Sequence, residues 1–165
     1  MISAKARRSS KPAESPARQL AGFIRRFDPA IATLVRAARA VLRKRLPTAI
    51  ELVYDNYNAL AIGFASTERA SDAIVSLAVY ARGVNLYFIY GATLPDPDRL
   101  LLGSGNQGRF VRLDNVAVLE RPAVAALLGA AVQDAMPPLP ATGRGHIVIK
   151  AVSARRRPRR KIHSS

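Results

Sequence analysis

Four β-rich runs follow one another so closely between residues 50 and 90 that no crossover helix fits between them. The runs are IELVYD (50–55), NALAIGF (58–64), IVSLAVY (74–80) and VNLYFIY (84–90). Parallel neighbours need a connection of about a dozen residues or more. The last two runs are joined only by Ala81-Arg82-Gly83, a length and composition typical of a hairpin. The pattern therefore predicts two hairpins in a mainly antiparallel sheet.

Two helices and a fifth strand complete the predicted α+β fold. DPAIATLVRAARAVLRKRLP predicts an N-terminal helix with Asp28 as its cap, ended by Pro47. Its apolar residues recur at helical spacing, and Arg36, Arg39 and Arg43 are expected to face water. RFVRLD (109–114) predicts strand five, and RPAVAALLGAAVQDAM (121–136) predicts a C-terminal helix.

Two further segments are predicted to have local structure. PDPDRLLLG (95–103) predicts one short helical turn that ends at Gly103. HIVIKAV (146–152) is either a final short strand or an extended tail. The expected architecture is a five-stranded sheet, two hairpins plus one strand, with a helix on each side in sequence and a basic tail at each end.

The chain has 165 residues, which is the size of one domain, and a net charge of +15 concentrated at its ends. Residues 150–165 hold seven Lys/Arg and no acid. We therefore expect a disordered basic tail over 1–18, a single domain over 19–152 and a basic tail over 153–165. No apolar run approaches the ~20 residues that cross a bilayer. A cytoplasmic protein without membrane contact is expected.

The motif G-x-G-x-x-G at Gly103, Gly105 and Gly108 is the pattern of a phosphate-binding loop. Such a loop follows a strand and begins a helix, so that the N–H groups of the helix meet the phosphates. Here a helical turn comes first and the strand-like RFVRLD follows. The context favours a plain turn, with anion binding by Gly103–Gly108 together with Arg109 and Arg112 as the lesser alternative.

No combination of residues in the sequence is typical of catalysis or of metal binding. The chain has no cysteine, which excludes thiolate chemistry and cysteine-bound zinc. His146 and His163 are far apart in sequence and lack partners at ligand spacing. No paired carboxylates suggest acid–base chemistry. A binding protein without enzymatic activity, cofactor or metal is expected.

Two segments are candidate binding sites. In YDNYN (54–58) the residues Tyr54, Asn56 and Tyr57 form either a turn or, with Arg109, the wall of a small-molecule pocket. The C-terminal run is either a solubilising tail or a non-specific nucleic-acid or other polyanion site, since dense Arg/Lys binds phosphates by counterion release. Its candidate residues are Lys150, Arg155, Arg156, Arg157, Arg159, Arg160 and Lys161.

Several phrases of the sequence resemble the YdhG-like family, a bacterial group of largely unknown function. They are YDNYNALAIGF, TERASDAIVSLAVY, LYFIYGATLPDP, LLLGSGNQGR and IVIKAVSARRRPRR, within residues 28–160. The resemblance implies an α+β domain, a family Gly-Ser-Gly…Arg pattern at Gly103, Ser104, Gly105 and Arg109, and a C-terminal segment that docks in part on the domain.

The resemblance also brings in a third functional hypothesis, because some members of the family are described as frataxin-like iron chaperones. Frataxin-type iron binding uses an acidic ridge on the first helix and first strand. Here the predicted first helix carries Arg36, Arg39, Arg43, Lys44 and Arg45, so iron delivery is not the favoured function. Binding of a polyanion through the basic ends is the favoured one, and a small-molecule pocket is the alternative.

Overall fold

The computed structural model describes residues 12–161. Three α-helices and six β-strands make up most of this range, together with three short 3₁₀ segments. In chain order they are α1 (Pro16–Arg25), α2 (Pro29–Arg45), β1 (Ile50–Asp55), β2 (Leu60–Ala65), a 3₁₀ segment (Ala70–Asp72), β3 (Ala73–Tyr80), β4 (Gly83–Phe88), a 3₁₀ segment (Gly91–Thr93), β5 (Arg109–Leu113), a 3₁₀ segment (Val116–Glu120), α3 (Pro122–Asp134) and β6 (Ile147–Val152).

The strands form one sheet in the order β5-β4-β3-β2-β1-β6. Each of the strands β1 to β4 pairs antiparallel with the next strand in sequence, which confirms the α+β class and the two hairpins. The five-stranded count was wrong, because HIVIKAV forms a sixth strand that runs parallel to β1. The residues between α3 and β6 carry the chain back to the start of β1. There Gly145 passes so close to Ala49 that a Cβ would lie 1.6 Å from the Ala49 carbonyl oxygen.

Helix α1 also differs from the prediction, since its first three residues lie in the range expected to be a disordered tail. Ser15 caps the helix by accepting a hydrogen bond from the Arg18 N–H at 3.2 Å. Pro16 occupies the first turn, where a helix tolerates proline. The apolar side chains of Leu20, Phe23 and Ile24 are buried, and this burial fixes the helix on the domain. The expected tail over residues 1–11 lies outside the described residues.

The predicted first helix is α2, and two details of its environment differ from expectation. Asp28 precedes the helix but makes no side-chain cap; its carboxylate accepts a hydrogen bond from the Lys161 N–H at 3.2 Å. Arg39 and Arg43 do not simply face water, because both pair with Glu51 on β1. The buried stripe follows the predicted face, with Val35, Ala38 and Leu42 fully buried.

One face of the sheet packs against the helices and is called the helix face; the other is called the open face. Side chains alternate along each strand, which assigns each residue to one of the two faces. On β1 the helix face holds Glu51, Val53 and Asp55. The core joins Val53 and its cross-strand neighbours on that face to the buried side chains of all three helices. A smaller cluster around Leu52 lies on the open face and contains no helix residue. Within the described chain the helices therefore cover one face only.

Residues 95–103 form no helical turn, contrary to the prediction. Asp96 instead accepts hydrogen bonds from the N–H groups of Leu100 and Leu101, both at 2.9 Å, which holds a compact turn. Leu102 then pairs antiparallel with Phe110 across the glycine loop. The loop leads into β5 and begins no helix, as the turn interpretation requires. Positive φ angles at Gly103 and Gly105 explain the glycines at those two positions.

Candidate functional site

Three arginines converge on one buried carboxylate at the end of β1. Asp55 is only 1% exposed. Its carboxylate accepts hydrogen bonds from Arg159 at 3.0 Å, from Arg26 at 3.4 Å and from Nε of Arg156. Arg159 is itself buried, at 7% exposure, and also donates to the Asn56 carbonyl oxygen. A buried carboxylate needs such partners because desolvation otherwise opposes its charge.

Glu51, at the other end of β1, is held in a similar way. Arg39 donates to both of its oxygens, at 2.6 and 3.1 Å, and Arg43 approaches at 3.3 Å. Bidentate arginine–carboxylate pairs combine strength with fixed geometry. The two acids of β1 therefore tie the helices and the C-terminal segment to the sheet, and each of these cations already has a carboxylate partner within the domain.

The C-terminal segment 153–161 docks on the domain. The Ser153 N–H donates to the Asp55 carbonyl oxygen and the Arg157 N–H to the Tyr57 carbonyl oxygen, both at 2.8 Å. With Arg156 and Arg159 bound to Asp55, the segment is fixed along the ends of β1 and β2. Of the two alternatives for this part of the chain, docked or solvated, the structure shows docking. Residues 162–165 lie outside the described range.

The seven predicted polyanion residues consequently divide into three groups. Arg156 and Arg159 point inward to Asp55. Lys150 lies on β6 and donates to the Glu68 carbonyl oxygen at 3.1 Å. The other four are exposed, and none of their side chains pairs with a described carboxylate: Arg155, Arg157, Arg160 and Lys161.

Three of these exposed cations lie beside one arginine of the β3–β4 loop and one of β5, and the five form what we call the basic groove: Arg82, Arg112, Arg157, Arg160 and Lys161. The groove consists of two adjoining hollows of about 390 and 640 Å³ that share Arg82 and Arg157. No carboxylate lines either hollow. Five cations around hollows that no carboxylate lines create a positive potential that attracts phosphate groups.

Neutral side chains of the open face complete one end of the groove. Tyr80 is 42% exposed and lies on the same hollow as Asn58 and Asn85. Asn85 is directly opposite Arg112 across the β4–β5 pair. A tyrosine ring and amide groups beside arginines are the residue types that contact bases and sugars in single-stranded nucleic acids.

The structure does not bring the four residues of the expected small-molecule pocket together. Asn56 and Tyr57 are exposed in the turn after β1, and Arg157 lies over the Tyr57 ring at 5.8 Å. Tyr54 points to the open face, where its hydroxyl is buried without a hydrogen-bonding partner among the described residues. Arg109 begins β5, four strands away, or about 19 Å at normal strand spacing.

The glycine loop uses its own arginine as an internal contact. Arg109 donates to the carbonyl oxygens of Gly108 at 2.7 Å and Gly105 at 2.8 Å. Ser104 is exposed between the two glycines. Since the arginine is bound to the loop backbone, Gly103, Ser104, Gly105 and Arg109 form a stabilised turn with no cation directed at a ligand.

No sequence pattern pointed to Arg82 or Tyr80 as binding residues, and Arg112 was linked only to anion binding at the glycine loop. Arg82 lies in the hairpin loop and Arg112 on an edge strand, so neither belongs to a basic run. Strand alternation could have placed Arg112 on the face opposite the apolar Val111 and Leu113. No sequence signal shows that the C-terminal segment returns to the β3–β4 hairpin.

Comparison of the chain with protein-family models, curated proteins and solved structures finds no significant match, so the resemblance to the YdhG-like family stays a prediction. In residues 12–161 no helix has the length and apolarity needed to span a membrane. The same residues contain no cluster of three His, Asp or Glu side chains suited to a metal ion. Of the features described, the basic groove is the one that most clearly presents unpaired charge to a ligand.

Proposed function

We propose that the protein binds a nucleic-acid strand in the basic groove. The observation that carries the proposal is the convergence of five cations from the β3–β4 hairpin, β5 and the C-terminal segment, with no carboxylate lining the groove. The five positive charges repel one another, and bound phosphates offset that repulsion. Neutralising phosphates also releases their condensed counterions.

A chain of phosphates suits the groove better than a single anion does. The cations are distributed over two adjoining hollows, and Arg82 and Arg157 lie where the hollows meet. Neither hollow is lined by all five cations, so an anion held in one hollow leaves part of the charge without a partner. Tyr80 and Asn85 at one end provide a ring and an amide that can contact a base. Inorganic polyanions have no base to make these contacts.

Deletion of residues 153–165 is a poor test, because it also removes Arg156 and Arg159 and leaves Asp55 buried without them. Point substitutions at the rim of the groove avoid this problem. We suggest the triple variant Arg82→Gln, Arg112→Gln and Arg157→Gln. A control triple variant, Arg36→Gln, Arg69→Gln and Arg144→Gln, removes the same charge from exposed positions outside the groove.

The assay is fluorescence anisotropy of a labelled 20-nucleotide single strand, titrated at several NaCl concentrations. Each phosphate contact to a single strand contributes about −0.7 to the slope of log K against log salt. The groove variant should therefore lose about two units of slope and bind at least tenfold more weakly at 0.1 M salt. The control should change both quantities much less. Equal losses in the two triple variants, or no loss in the groove variant, would refute the groove as the binding site.

A further inference from the structure

A cleft of about 420 Å³ lies near the end of the sheet opposite the basic groove, where β3 begins and β4 ends. The C-terminal end of α3 forms its other wall. Its apolar lining comes from Ile74, Phe88, Leu94 and Ala131. The volume falls within the range of small-molecule sites, and an apolar lining with a few polar groups is their usual composition.

The charges at this cleft are opposite in sign to those of the groove. Asp72 and Asp134 line it, and no lysine or arginine does, although the chain has 26 of them. Asp72 is already partly neutralised: it accepts the Thr67 hydroxyl at 2.6 Å, and Arg69 lies 4.0 Å away. Asp134 forms no ion pair or side-chain hydrogen bond with any residue in the range 12–161.

Asp134 is also in an electrostatically unfavourable position. It is the last residue of α3, where the carbonyl groups of a helix already carry partial negative charge. Helix ends usually place lysine or arginine there, yet the last turn of α3 has none. A cation from outside the chain would offset both the carboxylate and the helix end.

We propose that the cleft binds a small molecule with an apolar body and a primary ammonium group. The ammonium would donate to Asp134, and the body would lie against Leu94, Ala131 and Ala135. Met136 is 81% exposed at the mouth. Its flexible side chain can close over ligands of different shape. The site is separate from the basic groove and does not depend on nucleic-acid binding.

The test uses three probes of nearly equal size and different charge: 2-phenylethylamine, 2-phenylethanol and 3-phenylpropanoate. Titration is followed by two-dimensional NMR of the ¹⁵N-labelled full chain. The amine should shift the amide signals of residues 72–74 and 131–136 and bind about two- to fivefold more tightly than the alcohol, because Asp134 is exposed and solvent screens its charge. The carboxylate should bind more weakly than the alcohol. An alcohol that binds as tightly as the amine, or the absence of binding by all three probes, would overturn the proposal.

Two variants separate the charge from the cavity. Asp134→Asn should remove the preference for the amine and leave the alcohol unchanged. Ala131→Leu should weaken both, because its larger side chain occupies the apolar end of the cleft. Asp114→Asn, at an exposed position directly after β5, is the matched control and should leave all three affinities unchanged. An amine preference that survives in Asp134→Asn would show that this carboxylate is not the partner of the ammonium.

Discussion

The substitution Asp55→Asn tests whether the arginine cluster holds the C-terminal segment on the domain. It removes the charge of a carboxylate that is 1% exposed and keeps its size. Arg26 and Arg156 are partly exposed and can regain water, which limits their loss to about 1 kcal/mol each or less. Arg159 is 7% exposed and would remain buried without a counter-charge. Breaking such a pair costs about 3–5 kcal/mol, so this arginine dominates the expected loss.

Urea denaturation of the purified chain measures the effect. With a slope of about 2 kcal/mol/M, a loss of about 4 kcal/mol lowers the unfolding midpoint by about 2 M. The matched control is Arg26→Gln, which removes the most exposed partner and should cost about 1 kcal/mol or less. If the segment detaches before the domain unfolds, the Arg157 amide, now bonded to Tyr57, will exchange its hydrogen faster. A midpoint within about 0.3 M of wild type, with unchanged exchange at Arg157, would refute the reasoning.

Two glycine substitutions should act in opposite directions on the free energy of unfolding. Gly129→Ala lies in the exposed middle of α3 with nothing within 4 Å of the added Cβ, so chemical denaturation should show a gain of about 0.5–1 kcal/mol. Gly145→Ala would place a Cβ 1.6 Å from the Ala49 carbonyl oxygen, and we expect a loss of about 2–3 kcal/mol from the displaced β1–β6 pairing. Equal effects of the two substitutions would contradict this explanation.

The antiparallel part of the fold could be predicted because its evidence is local. The Ala81-Arg82-Gly83 connection forces neighbouring strands to pair, and helical periodicity identifies α2 and α3. Strand β6 could not be placed, since its partner lies almost 100 residues away in sequence and its parallel pairing leaves no turn signal. Helix α1 was missed because it begins inside the basic stretch expected to be a tail, where Pro16 occupies the first turn after the Ser15 cap.

The candidate site was less predictable than the fold, because it depends on contacts between residues that are far apart in sequence. Composition identified the C-terminal run as basic, but it could not divide that run into arginines that hold the structure and arginines that face solvent. The division depends on Asp55, which points inward on β1 and faces the returning segment. A carboxylate in a strand is normally expected on the solvated face. In this chain both acids of β1 lie on the helix face, where ion pairs with arginines from other elements compensate their charge.

The C-terminal segment contains both arginines that hold the structure and arginines that face solvent. This arrangement predicts an effect on nucleic-acid affinity opposite to the one that net charge predicts. Asp55→Asn raises the net charge of the chain by one, and long-range attraction alone would then strengthen nucleic-acid binding. The groove, however, takes Arg157, Arg160 and Lys161 from the segment that Asp55 holds in place. Once the segment detaches, these cations must be ordered again when the strand binds, and that ordering opposes binding. Anisotropy titration should therefore show weaker binding in Asp55→Asn than in wild type at the same salt. Stronger binding would mean that net charge, and not the arrangement of the groove, determines the affinity.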